Sequence, residues 1–257
     1  MTSGLSITRA SVARSLHCFF WLHPEWWTVA LCAIGWTAML LHGWQHAGHG
    51  VHHWMTLTQE LLYWLLMVAA MMLPLVVDRV RVTAVGSLWA RRHRAMAGFL
   101  AGYFAPWLVL GVVAAGLRQA SWTHSYAIPA LSFAVAALWQ LTPMHRRALV
   151  ACHRRRPLAP VGWQADRDCL RFGGLIGLAC VSSCWPLMLA CTLAGHGLIA
   201  MTGGMALGAA ERWSFRPPRR AVLAGTLALV GYYAVLAGLD NGFFAAARHL
   251  MASWAVV

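Results

Sequence analysis

Residues 172–194 read FGGLIGLACVSSCWPLMLACTLA and contain no Asp, Glu, Lys, Arg or His. About 20 apolar residues in an α-helix are enough to cross the hydrocarbon core of a bilayer. The stretch lacks the alternation of apolar and polar residues that a strand of a membrane barrel requires. It therefore predicts a transmembrane helix.

The rest of the chain repeats this pattern. The sequence is 60% hydrophobic and 11% charged, whereas a soluble chain carries about a quarter charged residues. Together these features predict an all-α, polytopic transmembrane helix bundle of about seven spans. The alternative to seven spans is that the short run 196–210 and the run 172–194 form one long kinked element. The further apolar runs are 26–46, 58–77, 95–117, 127–144, 196–210 and 221–239.

The arginines indicate the orientation of these spans. All 20 basic residues are arginine, and with the N-terminus in the cytoplasm 18 of them fall on cytoplasmic segments and two outside. This distribution follows the positive-inside rule. We therefore expect a bacterial cytoplasmic (inner) membrane protein that crosses the membrane several times, with its N-terminus in the cytoplasm and its C-terminus outside.

These segments define the expected organisation. Residues 1–25 form a cytoplasmic N-terminal segment, and residues 26–257 form one transmembrane domain. That domain carries a His-rich outer loop at 42–57 and an Arg-rich cytoplasmic loop at 145–171. The net charge of +13 favours contact with anionic lipid. A nucleic-acid partner is not expected, because almost no soluble sequence exists to carry a basic binding face.

The second run carries carboxylates and thioethers on one helical stripe. At about 100° per residue, Glu60, Met67, Met71 and Asp78 share a face about 80° wide. Carboxylates at membrane depth usually face the bundle interior. The alternative is that Glu60 and Asp78 are solvated helix-end residues and that the methionines are packing residues.

The 172–194 run carries a sulfur stripe. Cys180, Cys184 and Cys191 lie within about 40° of each other around a helix, and Met188 lies near them. Thiols and thioethers select soft ions such as Cu(I), or zinc. Pro186 is expected to kink the helix and free backbone carbonyl groups. The alternative is that the small side chains only permit close helix packing.

A third candidate site is the segment HGWQHAGHGVHH at 42–53. Imidazole binds copper, zinc or nickel, and the glycines favour a flexible segment that captures and releases an ion. A polar, pH-sensitive interfacial loop is the alternative. The candidate ligands here are His42, His46, His49, His52 and His53.

Several motifs occur together between residues 58 and 213: Met67–Pro74 (MVAAMMLP), Gly102-Tyr103 with Trp107, Gln140–Pro143 (QLTP) and Cys184–Met188 (CWPLM), followed by Glu211. This combination resembles a bacterial family of uncharacterised polytopic proteins described as predicted metal-binding integral membrane proteins. The resemblance implies metal ligation by Met67, Met71, Met72, Cys180, Cys184 and Met188. The chain departs from the family pattern at Ile176 and at Ser183, and Cys152 remains where the family has two loop cysteines.

Three functional hypotheses follow. The first is a membrane protein that binds a soft metal, copper before zinc, for delivery to a metal-accepting protein or other membrane subunits. The second is an accessory or structural subunit of a larger membrane-bound oxidoreductase complex. The third is a small-solute transporter. No catalytic residues are expected, and an enzymatic role of the chain on its own is the least supported.

Overall fold

The described part of the chain is helical throughout and contains no strand. The computed structural model describes residues 22–45, 56–120, 126–154, 156–159, 161–213 and 219–254, with residues 12, 14 and 19. The all-α prediction is thus confirmed. The helices are α1 Trp26–Gln45, α2 Leu57–Met72, α3 Val77–Val85, α4 Arg92–Ala120, α5 Ala127–Leu141, α6 Pro143–Cys152, α7 Gly162–Leu193, α8 Leu198–Trp213 and α9 Arg219–Trp254.

Three of the described helices are long and apolar enough to cross a membrane: Trp89–Gln119, Gly162–Leu193 and Arg219–Leu239. Two bent helix pairs bring the number to five if each pair counts as one span. Runs 58–77 and 127–144 are each divided between two helices at a proline, and the seven-span topology remains a prediction. Runs 172–194 and 196–210 form separate helices, because Gly195 and His196 adopt positive φ angles of 70° and 58° and turn the chain.

Both bends occur at prolines. The axis turns by 48° between α2 and the segment Pro74–Val85, and by 77° between α5 and α6. Proline suits the first turn of a new helix, and Thr142, before Pro143, is extended, as the residue before a proline prefers to be. Thr142 also caps the start of α6, since its hydroxyl oxygen accepts a hydrogen bond from the His145 backbone N–H at 3.2 Å.

The second bend changes the interpretation of residues 145–171. The sequence analysis assigned this range to one loop, but α6 ends at Cys152 and α7 begins at Gly162. The connection is therefore much shorter than expected. Helix α6 instead folds back and packs against α7.

Prolines also free carbonyl groups, and tryptophan side chains satisfy two of them. Pro74 has no N–H to offer Ala70, and the Ala70 carbonyl oxygen accepts from Trp36 Nε1 at 3.0 Å. Pro186 likewise frees the Ser182 carbonyl oxygen, which accepts from Trp139 Nε1 at 3.1 Å. Helix α7 runs unbroken through Pro186. The Ser182 carbonyl oxygen, which the Pro186 position predicted would lack its helical hydrogen bond, thus accepts one from a neighbouring helix instead.

The most extensive packing joins α4 and α7. An added Cβ on Gly173 would collide with the Phe99 carbonyl oxygen, and one on Gly102 with the Leu170 carbonyl oxygen. Backbones therefore touch with no side chain between them, as is common where small residues line membrane helix interfaces. The packing role expected for small residues on the 172–194 run is present here.

We expect Gly173→Ala to lower the free energy of unfolding in detergent by about 1–3 kcal/mol, because the methyl group would force two backbones apart. Gly116→Ala is the matched control. It lies on α4 with open space at its Cβ position, so alanine should be neutral or stabilise by up to about 1 kcal/mol through helix propensity. Thermal unfolding in detergent measures both. Equal melting temperatures for the two variants would contradict the close-contact interpretation.

Candidate functional site

The six sulfur ligands implied by the resemblance are all buried inside the bundle. Their side chains are at most 5% exposed. They therefore face protein, not lipid. The six are Met67, Met71 and Met72 on α2 and Cys180, Cys184 and Met188 on α7.

Two of the sulfur-bearing helices meet at Gly204 of α8. A Cβ placed on Gly204 would lie 3.0 Å from Met71 Cε and 3.1 Å from Cys191 Sγ. The absence of a side chain at this position thus lets a thioether from α2 and a thiol from α7 approach the same small space. We refer to Met71, Cys191 and Gly204 as the Gly204 junction.

The thiol in this junction is held in place. Cys191 is fully buried and its Sγ donates to the Ala200 carbonyl oxygen at 3.3 Å. Helix α8 contacts both α2 and α7, so it joins the two sulfur stripes that the sequence pattern indicated.

The carboxylates at the two ends of the second run behave differently. Glu60 is 4% exposed, and its Oε1 lies 3.0 Å from Arg118 Nε in a buried ion pair. The helix-end alternative is therefore wrong for Glu60. It holds for Asp78, whose side chain is 65% exposed beside Arg79. The break at Pro74 separates the two carboxylates and ends the common stripe.

Cys180 lies at the centre of a polar cluster within the apolar core. Its Sγ accepts from Arg212 Nη1 at 2.7 Å and from Tyr103 Oη at 3.4 Å. The Cys152 side chain is also a hydrogen-bond partner of Cys180. We refer to Tyr103, Cys152, Cys180 and Arg212 as the Cys180 cluster.

The cluster exists because α6 folds back. The 77° bend before Pro143 directs α6 across α7, which brings Cys152 at the end of α6 to Cys180 in the middle of α7. Arg212 comes from the last turn of α8. Four helices, α4, α6, α7 and α8, thus supply one guanidinium, one phenol hydroxyl and two thiols.

A second polar group lies alongside it. His145 is 3% exposed, its Nδ1 donates to the Ser183 carbonyl oxygen at 3.0 Å, and its Nε2 lies 3.0 Å from Glu211 Oε1. Cys184 has a separate neighbour, since its Sγ lies 3.3 Å from Ser183 Oγ. Glu211 is therefore engaged by His145, although it is adjacent to Arg212 in sequence.

No three His, Cys, Asp or Glu side chains of the described residues come close enough together to hold one metal ion. The cysteines of α7 thus do not converge as a three-thiol site. The methyl end of the Met71 thioether and the Cys191 thiol both border the Gly204 position, and the Cys152 thiol interacts with Cys180.

The histidine segment can be located only in part. His42 belongs to α1, but its side chain lies outside the described residues. His46, His49, His52 and His53 lie outside the described residues. Metal capture by this segment stays a prediction.

Sequence reasoning did not assign Cys152, Arg212 or Tyr103 to a site. Arg212 was counted only toward membrane orientation, and Cys152 was noted only as a cysteine that remains from the family pattern. Thr142-Pro143 was the local signal for a new helix, but the direction of α6 depends on tertiary packing.

Comparison with known proteins gives one match. The family model PpoB2, described as copper chaperone, matches residues 61–236. The matched range contains the Gly204 junction and the Cys180 cluster in full. No curated protein and no solved structure matches the chain significantly.

Proposed function

Because the chain belongs to the PpoB2 family of copper chaperones, we propose that it holds Cu(I) as cargo within a membrane-embedded helical bundle and transfers it to a protein acceptor. Copper handling follows from the family. The membrane setting, the ligands and the transfer to a membrane-associated partner are our proposal.

The observation that carries this proposal is the Gly204 junction. A thioether and a thiol from different helices border one small space, in a core from which water is excluded. Soft sulfur ligands favour Cu(I) over hard cations. A pair containing a neutral thioether holds the ion less strongly than two thiolates would, which suits an ion that must be released.

Helix α7 supplies further sulfur ligands along its length. Cys191, Met188, Cys184 and Cys180 recur every three or four residues and are all buried. At 1.5 Å rise per residue they extend over about 16 Å. An ion could thus pass along this series by exchanging one soft ligand for the next.

The histidine segment and the arginines place this series in a membrane context. We propose that the segment 42–53 gathers copper on the outer side of the bacterial inner membrane. The expected orientation puts the Cys191 end of α7 outside and the Cys180 end toward the cytoplasm. The acceptor is then a copper-requiring protein or a subunit of a membrane complex.

The test uses the purified full-length chain in detergent, incubated anaerobically with Cu(I) and separated from free copper by gel filtration. Copper should co-elute with the protein at a fixed stoichiometry, resist an excess of zinc, and pass to a chromophoric Cu(I) chelator. Met144→Leu, which alters an exposed methionine, should not change the result. A wild-type chain without copper above background would overturn the proposal.

A second measurement separates a chaperone from a transporter. The chain is reconstituted into liposomes that contain a membrane-impermeant Cu(I) chelator. Copper added outside should stay outside or remain bound to protein. Chelator colour that develops inside at a protein-dependent rate would favour transport and contradict the chaperone proposal.

A further inference from the structure

We propose that Cys152 and Cys180 form a two-coordinate Cu(I) site, with the buried Arg212 guanidinium as its fixed counter-charge. This site is distinct from the Gly204 junction. It rests on the proposed copper function and pairs Cys152 with Cys180 and Arg212, a grouping that the sequence pattern did not predict.

The geometry of the Cys180 cluster supports the ligand pair. Two thiols from α6 and α7 are hydrogen-bond partners, and both side chains are at most 1% exposed. Thiolates are soft ligands that select Cu(I). Because the two thiols come from different helices and already interact, little rearrangement is needed for one ion to bind between them.

The charge of Arg212 favours an anionic group at this position. It is 9% exposed and its Nη2 has no hydrogen-bond partner within the described part of the molecule. No described carboxylate forms an ion pair with it, since the neighbouring Glu211 is engaged by His145. A buried cation without a compensating anion is costly. Negative charge beside Cys180 would therefore stabilise the buried Arg212 guanidinium.

A copper dithiolate supplies that charge. When Cu(I) binds, both thiols release their protons to the solvent, two Cu–S bonds form, and the copper does not change oxidation state. The product, one Cu⁺ and two thiolates, carries a net charge of −1. With the guanidinium at 2.7 Å from Cys180 Sγ, the whole group becomes neutral. Tyr103 Oη can donate to the same sulfur.

The test titrates purified full-length chain anaerobically with a chromophoric Cu(I)–chelator complex and records the thiolate-to-copper absorption band. Cys152→Ser should remove the part of this absorption band that comes from copper at the Cys180 cluster. It should also weaken copper binding at that site at least about 100-fold, which is more than is usual for an outer-shell partner. Arg212→Met keeps both thiols and should weaken binding about tenfold, and Arg212→Lys should recover part of this loss. Cys169→Ser, a buried thiol elsewhere on α7, is the matched control and should behave as wild type.

The outcomes separate the two proposals. Copper that binds the wild type but is unaffected by Cys152→Ser and by Arg212→Met overturns the dithiolate site and leaves copper handling intact. A wild type that binds no copper overturns the proposed function itself. X-ray absorption gives an independent reading on the Met71→Leu, Cys191→Ser variant, which lacks the sulfur atoms of the Gly204 junction, because two sulfur neighbours at one copper are expected there too. Nitrogen or oxygen neighbours in place of sulfur would contradict the inference.

Discussion

The Met71→Leu, Cys191→Ser double variant is expected to bind Cu(I) at the Gly204 junction at least about tenfold more weakly than the wild type, by analogy with the loss typical for groups near a metal. Leucine conserves the volume of methionine, so the core should stay packed. A serine hydroxyl can still donate to the Ala200 carbonyl oxygen, as the Cys191 thiol does. The loss should therefore report ligand removal and not unfolding.

Gly204→Ala tests the same junction without removing a sulfur. Its methyl group would occupy the space between Met71 Cε and Cys191 Sγ and should weaken copper binding in the same direction. Gly208→Ala on the same helix meets only Leu75 Cδ1 at 3.4 Å and serves as control. Competition against a Cu(I) chelator measures all three proteins. Full affinity in both Gly204→Ala and the double variant would show that copper does not bind at this junction.

The second large effect concerns stability. Arg118→Met should lower the free energy of unfolding by about 3–5 kcal/mol, because it leaves the Glu60 carboxylate buried without its cation. Arg118 also joins α4 to the end of α7, since its Nη1 donates to the Thr192 carbonyl oxygen at 3.1 Å. Chemical unfolding in detergent, followed by tryptophan fluorescence, provides the measurement.

A double-mutant cycle identifies the cause. Adding Glu60→Gln to Arg118→Met removes the stranded charge and should recover a substantial part of the lost stability. Arg146→Met, at an exposed position on α6, should change stability by no more than about 0.5 kcal/mol. If the double variant were as unstable as Arg118→Met alone, the ion pair would not explain the effect.

Local patterns predicted the helices well and their partners poorly. The absence of charge in 172–194 was sufficient to identify α7, and the sulfur stripe on it is buried as a helical period of 3.6 requires. The neighbour of Met71 could not be predicted, because it depends on α8 lying against both α2 and α7. The place of Gly204 between two sulfur-bearing helices depends on the same packing and could not be predicted either.

The Cys180 cluster shows a second limit of sequence reasoning. Arg212 lies near the end of an apolar run, where arginine normally indicates membrane orientation, and nothing local distinguishes a buried guanidinium from a solvated one. The arginine-rich composition of 145–171 suggested a surface loop. The 77° turn at Thr142-Pro143 instead brings one face of that segment inward, with His145, Ala148 and Cys152 buried and Arg146 and Arg147 exposed.

The glycine contacts between α4 and α7 affect how an ion can travel. With their main chains in direct contact at Gly102 and Gly173, these two helices cannot slide past one another without losing this fit. If copper moves along α7 as we propose, it would have to pass between ligands whose positions are fixed. The movements that admit and release the ion would then belong to elements at the rim of the bundle and not to α7.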